Sequence, residues 1–289
     1  MADLQFKISP NIVLATYISS RLGLYAKEWG ERYMVIVDPV LKEVHNLDTL
    51  YESLSTRHID YFIFDEIDFS ADSETVKRAL ALARNAYVQG VIAIGGSSVF
   101  GIARTVCALF NETNDIYDVL NGRNCLRDKT LRKMSLIKVK TLFKSNKTES
   151  LPLIAVPSTI RSPFLFTEFV PLIDARSRQI RILKVQPTLC KLALFDPTLH
   201  VSLSQSQMKA IALETLGIAV EAYLSQKANF FSDMFAEKAI ELLGSYLNAS
   251  EGEVSAISPE VMLSQGGCMA SLAITTSSVG PATLTALAV

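Results

Sequence analysis

The sequence has few of the residues that build metal sites and disulfide frameworks. Its 289 residues include four cysteines and three histidines. The cysteines are Cys107, Cys125, Cys190 and Cys268, and the histidines are His45, His58 and His200. No C-x-x-C pair occurs, so we expect separate thiols in a reducing cytoplasm. No two histidines are close enough in the sequence to share a helix face. A metal or base site could be assembled from these histidines only by the tertiary fold.

Long apolar runs and an excess of charge of one sign are also missing. The mean hydropathy is +0.27, but no apolar stretch approaches the roughly 20 residues that span a bilayer. Asp3, Pro10 and Arg21 interrupt the beginning of the chain, which argues against a signal peptide or anchor. A formal net charge of −1 gives no general attraction to nucleic acid or acidic lipid. We therefore expect a cytoplasmic protein with no membrane partner.

The first two thirds of the chain alternate β-rich runs with helical patterns. The runs are Tyr33–Val37, Asp60–Phe64, Val91–Ile94, Leu153–Val156 and Leu192–Phe195. Helical periodicity covers 73–89, with Ser73 and Glu74 as candidate cap residues, and 98–110. Strands separated by helices of this length predict βαβ units and a mostly parallel sheet.

The pattern changes to helices alone from about Ser202. Three helices are predicted, over 204–227, 232–247 and 258–274. The predicted organisation is therefore a Rossmann-like, nucleotide-binding α/β domain over 1–200 and an all-α domain over 201–289.

A basic segment interrupts the α/β part between Arg123 and Lys147. It contains seven further basic residues and a single acid, Asp128. It is either a solvated loop or helix or a docking patch for an acidic protein partner. Phe143 is the only aromatic residue in it, so sequence-specific nucleic-acid binding is not expected.

The stretch "VIAIGGSSVFGIAR" begins at Val91 and ends at Arg104. An apolar run stops at Gly95 and Gly96, and an apolar-periodic segment follows two serines. This is typical of a buried strand that turns into a helix whose N-terminus holds a phosphate. The alternative is a purely structural connection between strand and helix.

Five motifs in order resemble those of one family, the iron-containing alcohol dehydrogenases, which are related to glycerol dehydrogenase and dehydroquinate synthase. They are "VIVDPVLKE", "VIAIGGSSVFGIAR", "PLIAVPST", "LFDPTL" and "VEAYLSQKANFFSDMFAEKAIELL". The resemblance runs from about Lys7 to the end of the sequence. It implies an N-terminal nucleotide-binding domain, a C-terminal helical domain, and the use of NAD(P) with a divalent metal.

The resemblance also implies which residues would bind the nucleotide. Asp38 stands where an acid would bond the adenosine ribose and favour NAD over NADP. The first phosphate turn corresponds to Gly95, Gly96, Ser97 and Ser98, and the second retains hydroxyls at Ser158 and Thr159. Ser97 replaces the third glycine of the family, and Gly101 replaces its aspartate. Arg161 and Pro163 fill glycine positions in the second loop, where Arg161 could pair with a phosphate.

The metal ligands of the family have no histidine counterparts in this sequence. The family motif G-M-D-A-L-T-H-A-I-E-A-Y corresponds to "ALETLGIAVEAY", so Glu214 stands at the aspartate position and Ile218 at the first histidine. Thr283 stands at the next histidine, and the fourth ligand would fall beyond Val289. The resemblance thus implies a diverged, C-terminally shortened member with no bound metal.

Three functions follow from these observations as hypotheses. The first is a protein without metal-dependent dehydrogenase activity that still binds NAD or another phosphate ligand and forms a homo-oligomer. The second is an active NAD-dependent alcohol or polyol oxidoreductase with an atypical or externally completed metal site, which predicts His200 beside Glu214 in the cleft. The third is a structural or interaction protein whose cleft is empty.

Overall fold

The structure is a computed structural model that describes residues 6, 8–42, 47–67, 71–122, 125–127, 149–202, 204–249 and 256–288. The basic segment predicted over 123–147 therefore lies outside the described residues, apart from 125–127. The strands are β1 (Asn11–Leu14), β2 (Arg32–Val37), β3 (Asp60–Phe64), β4 (Gly90–Gly95), β5 (Cys125–Arg127), β6 (Leu153–Pro157), β7 (Phe169–Asp174), β8 (Gln179–Lys184) and β9 (Cys190–Phe195). The helices are α1 (Leu22–Ala26), α2 (Pro39–Lys42), α3 (Asp48–Thr56), α4 (Ser73–Asn85), α5 (Ser97–Leu109), α6 (Ile116–Asn121), α7 (Gln205–Tyr223), α8 (Phe230–Asn248), α9 (Pro259–Thr276) and α10 (Pro281–Ala288), with 3-10 turns at Ile18–Arg21 and Pro197–Ser202.

Six strands form one sheet in the order β1-β9-β6-β4-β2-β3, and every neighbouring pair is parallel. All five strands predicted from the sequence belong to it. The sixth, β1, is a four-residue strand at the edge, too short for a periodic signal.

Helices cover both faces of this sheet, which is why its central strands read as continuous apolar runs. Met34 and Ile36 of β2 face a cluster that includes Val76 of α4 and Val99 of α5. The alternate residues of β2 face a second cluster on the other side, which includes Leu22 of α1 and Leu50 of α3. This alternation follows from the two-residue period of a strand.

A second, three-stranded sheet was not predicted. Strand β8 pairs antiparallel with both β7 and β5. The β7–β8 turn contains neither glycine nor asparagine, the usual sequence signals of a tight hairpin. The carboxylate of Asp174 closes it instead, by accepting hydrogen bonds from the backbone of Arg176 (3.1 Å) and the hydroxyl of Ser177 (2.7 Å).

The three predicted helices of the C-terminal part are present as α7, α8 and α9, with shifted ends. Helix α8 begins two residues before the predicted start because Asn229 and Ser232 form a reciprocal capping box. The predicted caps of α4 were wrong: Asp72 is its N-cap and accepts a hydrogen bond from the backbone of Thr75 at 2.8 Å. Helix α10 was not predicted.

The architecture is thus a Rossmann-like α/β domain followed by a helical domain, as predicted. The 3-10 turn Pro197–Ser202 lies between the last strand and α7. The domain boundary at residue 200 stays a prediction. Among the described residues, no helix combines the length and the apolar character that crossing a membrane requires.

Candidate nucleotide site and the metal-ligand positions

The strand order reverses direction between β2 and β4. From β2 the chain moves outward to β3, then returns to β4 on the other side of β2 and continues to β6 and β9. Ligands of open parallel sheets bind at such a switch point, beyond the carboxyl ends of the strands. Here those ends are Asp38, directly after β2, and Gly95, the last residue of β4.

The turn after β4 is tightly packed against Asp38. A Cβ on Gly95 would stand 2.5 Å from Cγ2 of Val99 and 3.2 Å from Cβ of Asp38, so only glycine fits there. Gly96 is the N-cap of α5 and has no side chain to accept from the amides of the first turn. Ser97 and Ser98 are the first two residues of the helix. The N-terminus of such a helix carries a partial positive charge that favours an anion.

The loop after β6 lies against this turn. The backbone N–H of Ser158 donates to the carbonyl of Gly95 at 3.1 Å. Oγ1 of Thr159 lies 3.3 Å from the place that a Cβ on Gly96 would occupy. The structure therefore brings all seven predicted site residues to one edge of the sheet.

Ser97 connects the two loops through its side chain. Its hydroxyl, at the position of the family's third glycine, donates to the carbonyl of Arg161 at 2.8 Å. The hydroxyl of Ser271, on α9, donates to the carbonyl of Ser162 at 3.1 Å. The second loop is thus held between α5 and the helical domain.

A small cavity lies beside the first turn of α5. Its volume is about 30 Å³, and its lining includes Ser97, Gly101, Arg104 and Ser162. This exceeds the roughly 10–15 Å³ that a cavity needs to hold one water molecule. Gly101, where the family has an aspartate, leaves this side of the helix without a carboxylate.

Arg104 of α5 binds the backbone of the segment between the second loop and β7, a role that was not predicted from the sequence. Its buried guanidinium donates to the carbonyls of Phe164 (2.6 Å), Phe169 (3.0 Å) and Thr167. Burial lowers the pKa of Arg104 to about 10, so the side chain remains charged at neutral pH. A single basic residue in a helix with no other charged side chain was the available signal.

His200 is buried and contacts the second loop. The side chain is 3% exposed, and Nδ1 is 2.8 Å from the carbonyl of Ser158. Nε2 has no hydrogen-bond partner among the described residues. Burial lowers the pKa of His200, which keeps the imidazole neutral at neutral pH. No hydrogen bond joins His200 to Glu214, so the structure does not form the contact that an active site built from these two residues would use.

Glu214, at the first metal-ligand position, is paired with an arginine of this chain. Nη1 of Arg161 lies 2.8 Å from Oε1 and 2.7 Å from Oε2 of Glu214. The arginine belongs to the loop after β6 and the glutamate to α7, so the ion pair joins the two domains. The sequence resemblance predicts a loop glycine at the position of Arg161 and a metal-binding aspartate at that of Glu214.

Ile218, at the first histidine position, is a core residue. It is 5% exposed and belongs to an apolar cluster with Phe164, Phe169, Ala236 and Val279. The cluster takes in residues of both domains. An aliphatic side chain offers no donor to a metal.

Thr283, at the next histidine position, is held by Glu221. The carboxylate accepts hydrogen bonds from the hydroxyl of Thr283 (2.5 Å) and from the backbone N–H groups of Ala282 (2.6 Å) and Thr283 (3.2 Å). Glu221 thereby satisfies amides at the start of α10 and complements its dipole.

The three positions therefore do not form the donor set that iron or zinc requires. One holds a carboxylate engaged by a guanidinium, the second is aliphatic, and the third is a hydroxyl engaged by another carboxylate. In the described part of the chain, no group of three or more His, Cys, Asp or Glu side chains is arranged to hold a metal ion.

Comparison with known proteins agrees with this fold. Residues 9–197 match the sequence model of the family described as iron-containing alcohol dehydrogenase. The match covers more than half of the chain, and the protein belongs to the iron-containing alcohol dehydrogenase family.

Individual relatives are similar at low identity. An aldehyde-alcohol dehydrogenase of Streptococcus pneumoniae is 28% identical over 226 residues, which are 76% of this chain and 24% of the relative. Long-chain-alcohol dehydrogenase 1 of Geobacillus thermodenitrificans is 26% identical over 248 residues, 86% of this chain and 58% of the relative. The chain thus spans less than two thirds of either relative's length.

A solved structure shows the same fold with a nucleotide bound. It is the sulfoacetaldehyde reductase of Bifidobacterium kashiwanohense in complex with NAD+, with a TM-score of 0.80 and 16% identity. The alignment covers 97% of this chain and 69% of that chain. At this identity the likeness concerns the fold.

Proposed function

We propose that the protein binds NAD at the switch point of its parallel sheet and does not carry out the metal-dependent hydride transfer typical of its family. The side chains at the metal-ligand positions are the observation that carries the proposal: Ile218 is a buried aliphatic residue and Thr283 is held by Glu221. This leaves Glu214 as the one carboxylate of the three positions, whether or not Arg161 is paired with it.

The residues at the switch point fit the adenosine diphosphate part of NAD. Asp38 would accept a hydroxyl of the adenosine ribose, and its charge would repel the 2′-phosphate of NADP. The first turn of α5 would receive the pyrophosphate, with hydroxyls of Ser158 and Thr159 beside it. Gly95 gives this turn the close packing that a side chain would prevent, because a Cβ there would collide with Val99. NAD, when bound, would supply a hydride acceptor.

The residues at the metal positions do not fit a dication, and this decides the chemistry we propose. An alcohol has a pKa near that of water, about 15.7, so ionising it at pH 7 costs roughly 12 kcal/mol. A bound dication removes most of this cost, and each 1.4 kcal/mol that remains lowers the rate about tenfold. Of the three positions, Glu214 alone offers a carboxylate, and one ligand is fewer than the three that a catalytic zinc site uses.

Calorimetry and metal analysis of the full chain test both halves of the proposal. We expect NAD to bind and to stabilise the protein by about 2.7 kcal/mol at 100 times its dissociation constant, with NADP binding more weakly. We expect no stoichiometric iron or zinc and no turnover of simple alcohols. Failure of NAD to bind would contradict the first half, and tightly bound metal with turnover would contradict the second.

Three further predictions accompany this proposal and rest on the sequence. We expect a homo-oligomer and a cytoplasmic location. The acidic protein partner predicted for the basic segment concerns residues outside the described part of the chain, except 125–127.

A further inference from the structure

We propose that Arg161 is a phosphate ligand and that Glu214 competes with the phosphate for its guanidinium. In this proposal, the pyrophosphate of NAD takes the guanidinium from Glu214, so nucleotide binding opens the ion pair between the two domains. The inference rests on the proposed nucleotide site and adds a regulatory element to it.

The backbone of Arg161 lies next to the proposed phosphate position. Its carbonyl accepts the hydroxyl of Ser97, the first residue of α5. Two residues earlier, Thr159 lies against Gly96, the N-cap of the same helix. The arginine side chain therefore starts at the rim of the helix N-terminus and reaches from there to α7. The exchange we propose is a movement of this side chain from Glu214 to the rim.

The ion pair is weak enough to be exchanged. The side chains of Arg161 and Glu214 are 46% and 47% exposed. Ion pairs at such exposure contribute little, because water screens the charges and two long side chains must be ordered. Glu214 offers one negative charge, whereas a pyrophosphate offers more charge and the bidentate geometry that a guanidinium prefers. At the positive end of α5, the phosphate would also be held by the helix dipole.

Exchange makes nucleotide binding and the interdomain ion pair mutually exclusive. A ligand that binds Arg161 breaks its ion pair with Glu214. By linkage, the factor by which the ion pair weakens ligand binding is the factor by which removal of Glu214 tightens it. Glu214 is then a negative regulator of affinity, although it need not touch the nucleotide.

Calorimetric titration of NAD into four proteins tests this coupling. They are the wild type, Glu214→Gln, Arg161→Gln and the double variant. Glu214→Gln should tighten NAD binding about two- to fivefold, the range that an exposed ion pair supports. Arg161→Gln should weaken binding about tenfold or more, because it removes a charged hydrogen bond to phosphate. In the Arg161→Gln background, Glu214→Gln should have no effect.

The control is another exposed ion pair, which lies within a single helix. Lys238 and Glu241 lie on α8, 2.7 Å apart, with side chains 48% and 63% exposed. Glu241→Gln removes the same charge as Glu214→Gln and should leave NAD affinity unchanged. Thermal unfolding of each variant shows that it is folded under the titration conditions.

The outcomes separate this inference from the proposed function. If the wild type and Glu214→Gln bind NAD equally, or if the effect of Glu214→Gln persists without Arg161, the exchange is refuted while the nucleotide site stands. If Arg161→Gln leaves the affinity unchanged, Arg161 is not a phosphate ligand. If no variant binds NAD, the nucleotide site and the exchange are both refuted.

Discussion

Replacing Ile218 with histidine introduces the metal ligand that the sequence resemblance predicts at this position, and we expect it to destabilise the protein without creating a metal site. Ile218 is 5% exposed and packs against Phe164 and Val279. An imidazole there would lie among aliphatic and aromatic side chains, with no partner for its ring nitrogens in the cluster.

The size of the loss follows from the burial. Fully burying an isoleucine is worth about 1.5–3 kcal/mol, and an unsatisfied buried polar group costs about 1–3 kcal/mol. We therefore expect Ile218→His to lower the free energy of unfolding by about 3–5 kcal/mol, a large part of the 5–15 kcal/mol typical of a folded protein. The conservative control Ile218→Val should cost only about 0.5–1.5 kcal/mol.

Urea unfolding of the wild type, Ile218→His and Ile218→Val, each with and without added zinc, measures these values. Zinc should not restore Ile218→His, because a catalytic zinc site uses three protein ligands, and Glu214 with the introduced imidazole makes only two. The reasoning would be refuted if Ile218→His were as stable as the wild type. It would also be refuted if zinc raised the stability of this variant alone, since that would reveal a preformed metal site.

Two other substitutions test the contacts around the cleft. Arg104→Met should lower the free energy of unfolding by about 3–5 kcal/mol, measured in urea, because it removes three hydrogen bonds donated by a buried charged group. Arg104→Lys should lose less, and equal losses would contradict the role of the guanidinium. Burial would raise the pKa of Asp196, but hydrogen bonds from Ser19 and Thr198 outweigh it and leave the pKa below its ordinary value. Because the folded-state pKa is depressed, this stabilisation is complete above the unfolded value of about 3.9 and is lost as the pH falls through the folded pKa. Asp196→Asn should therefore be less stable at neutral pH and lose less stability on acidification, as followed by thermal unfolding from pH 7 to pH 3.

The elements that carry a local signal could be predicted from the sequence. The five β-rich runs, the glycine turn and the three long C-terminal helices depend on residues only a few positions apart. The hairpin of β7 and β8 was missed because the side chain of Asp174, and no glycine, closes its turn.

The candidate site divides in the same way. The sequence alone determined which residue types stand at each position: small and hydroxyl residues at the phosphate turns, and no histidine at the metal positions. Their meaning depended on partners distant in the chain, since Arg161 and Glu214 are 53 positions apart and Glu221 and Thr283 are 62 apart. The strand order that puts Asp38 beside Gly95 is equally non-local. Only the tertiary structure decided these pairings, because periodicity reports which face a side chain occupies, whereas an ion pair requires two elements to pack against each other.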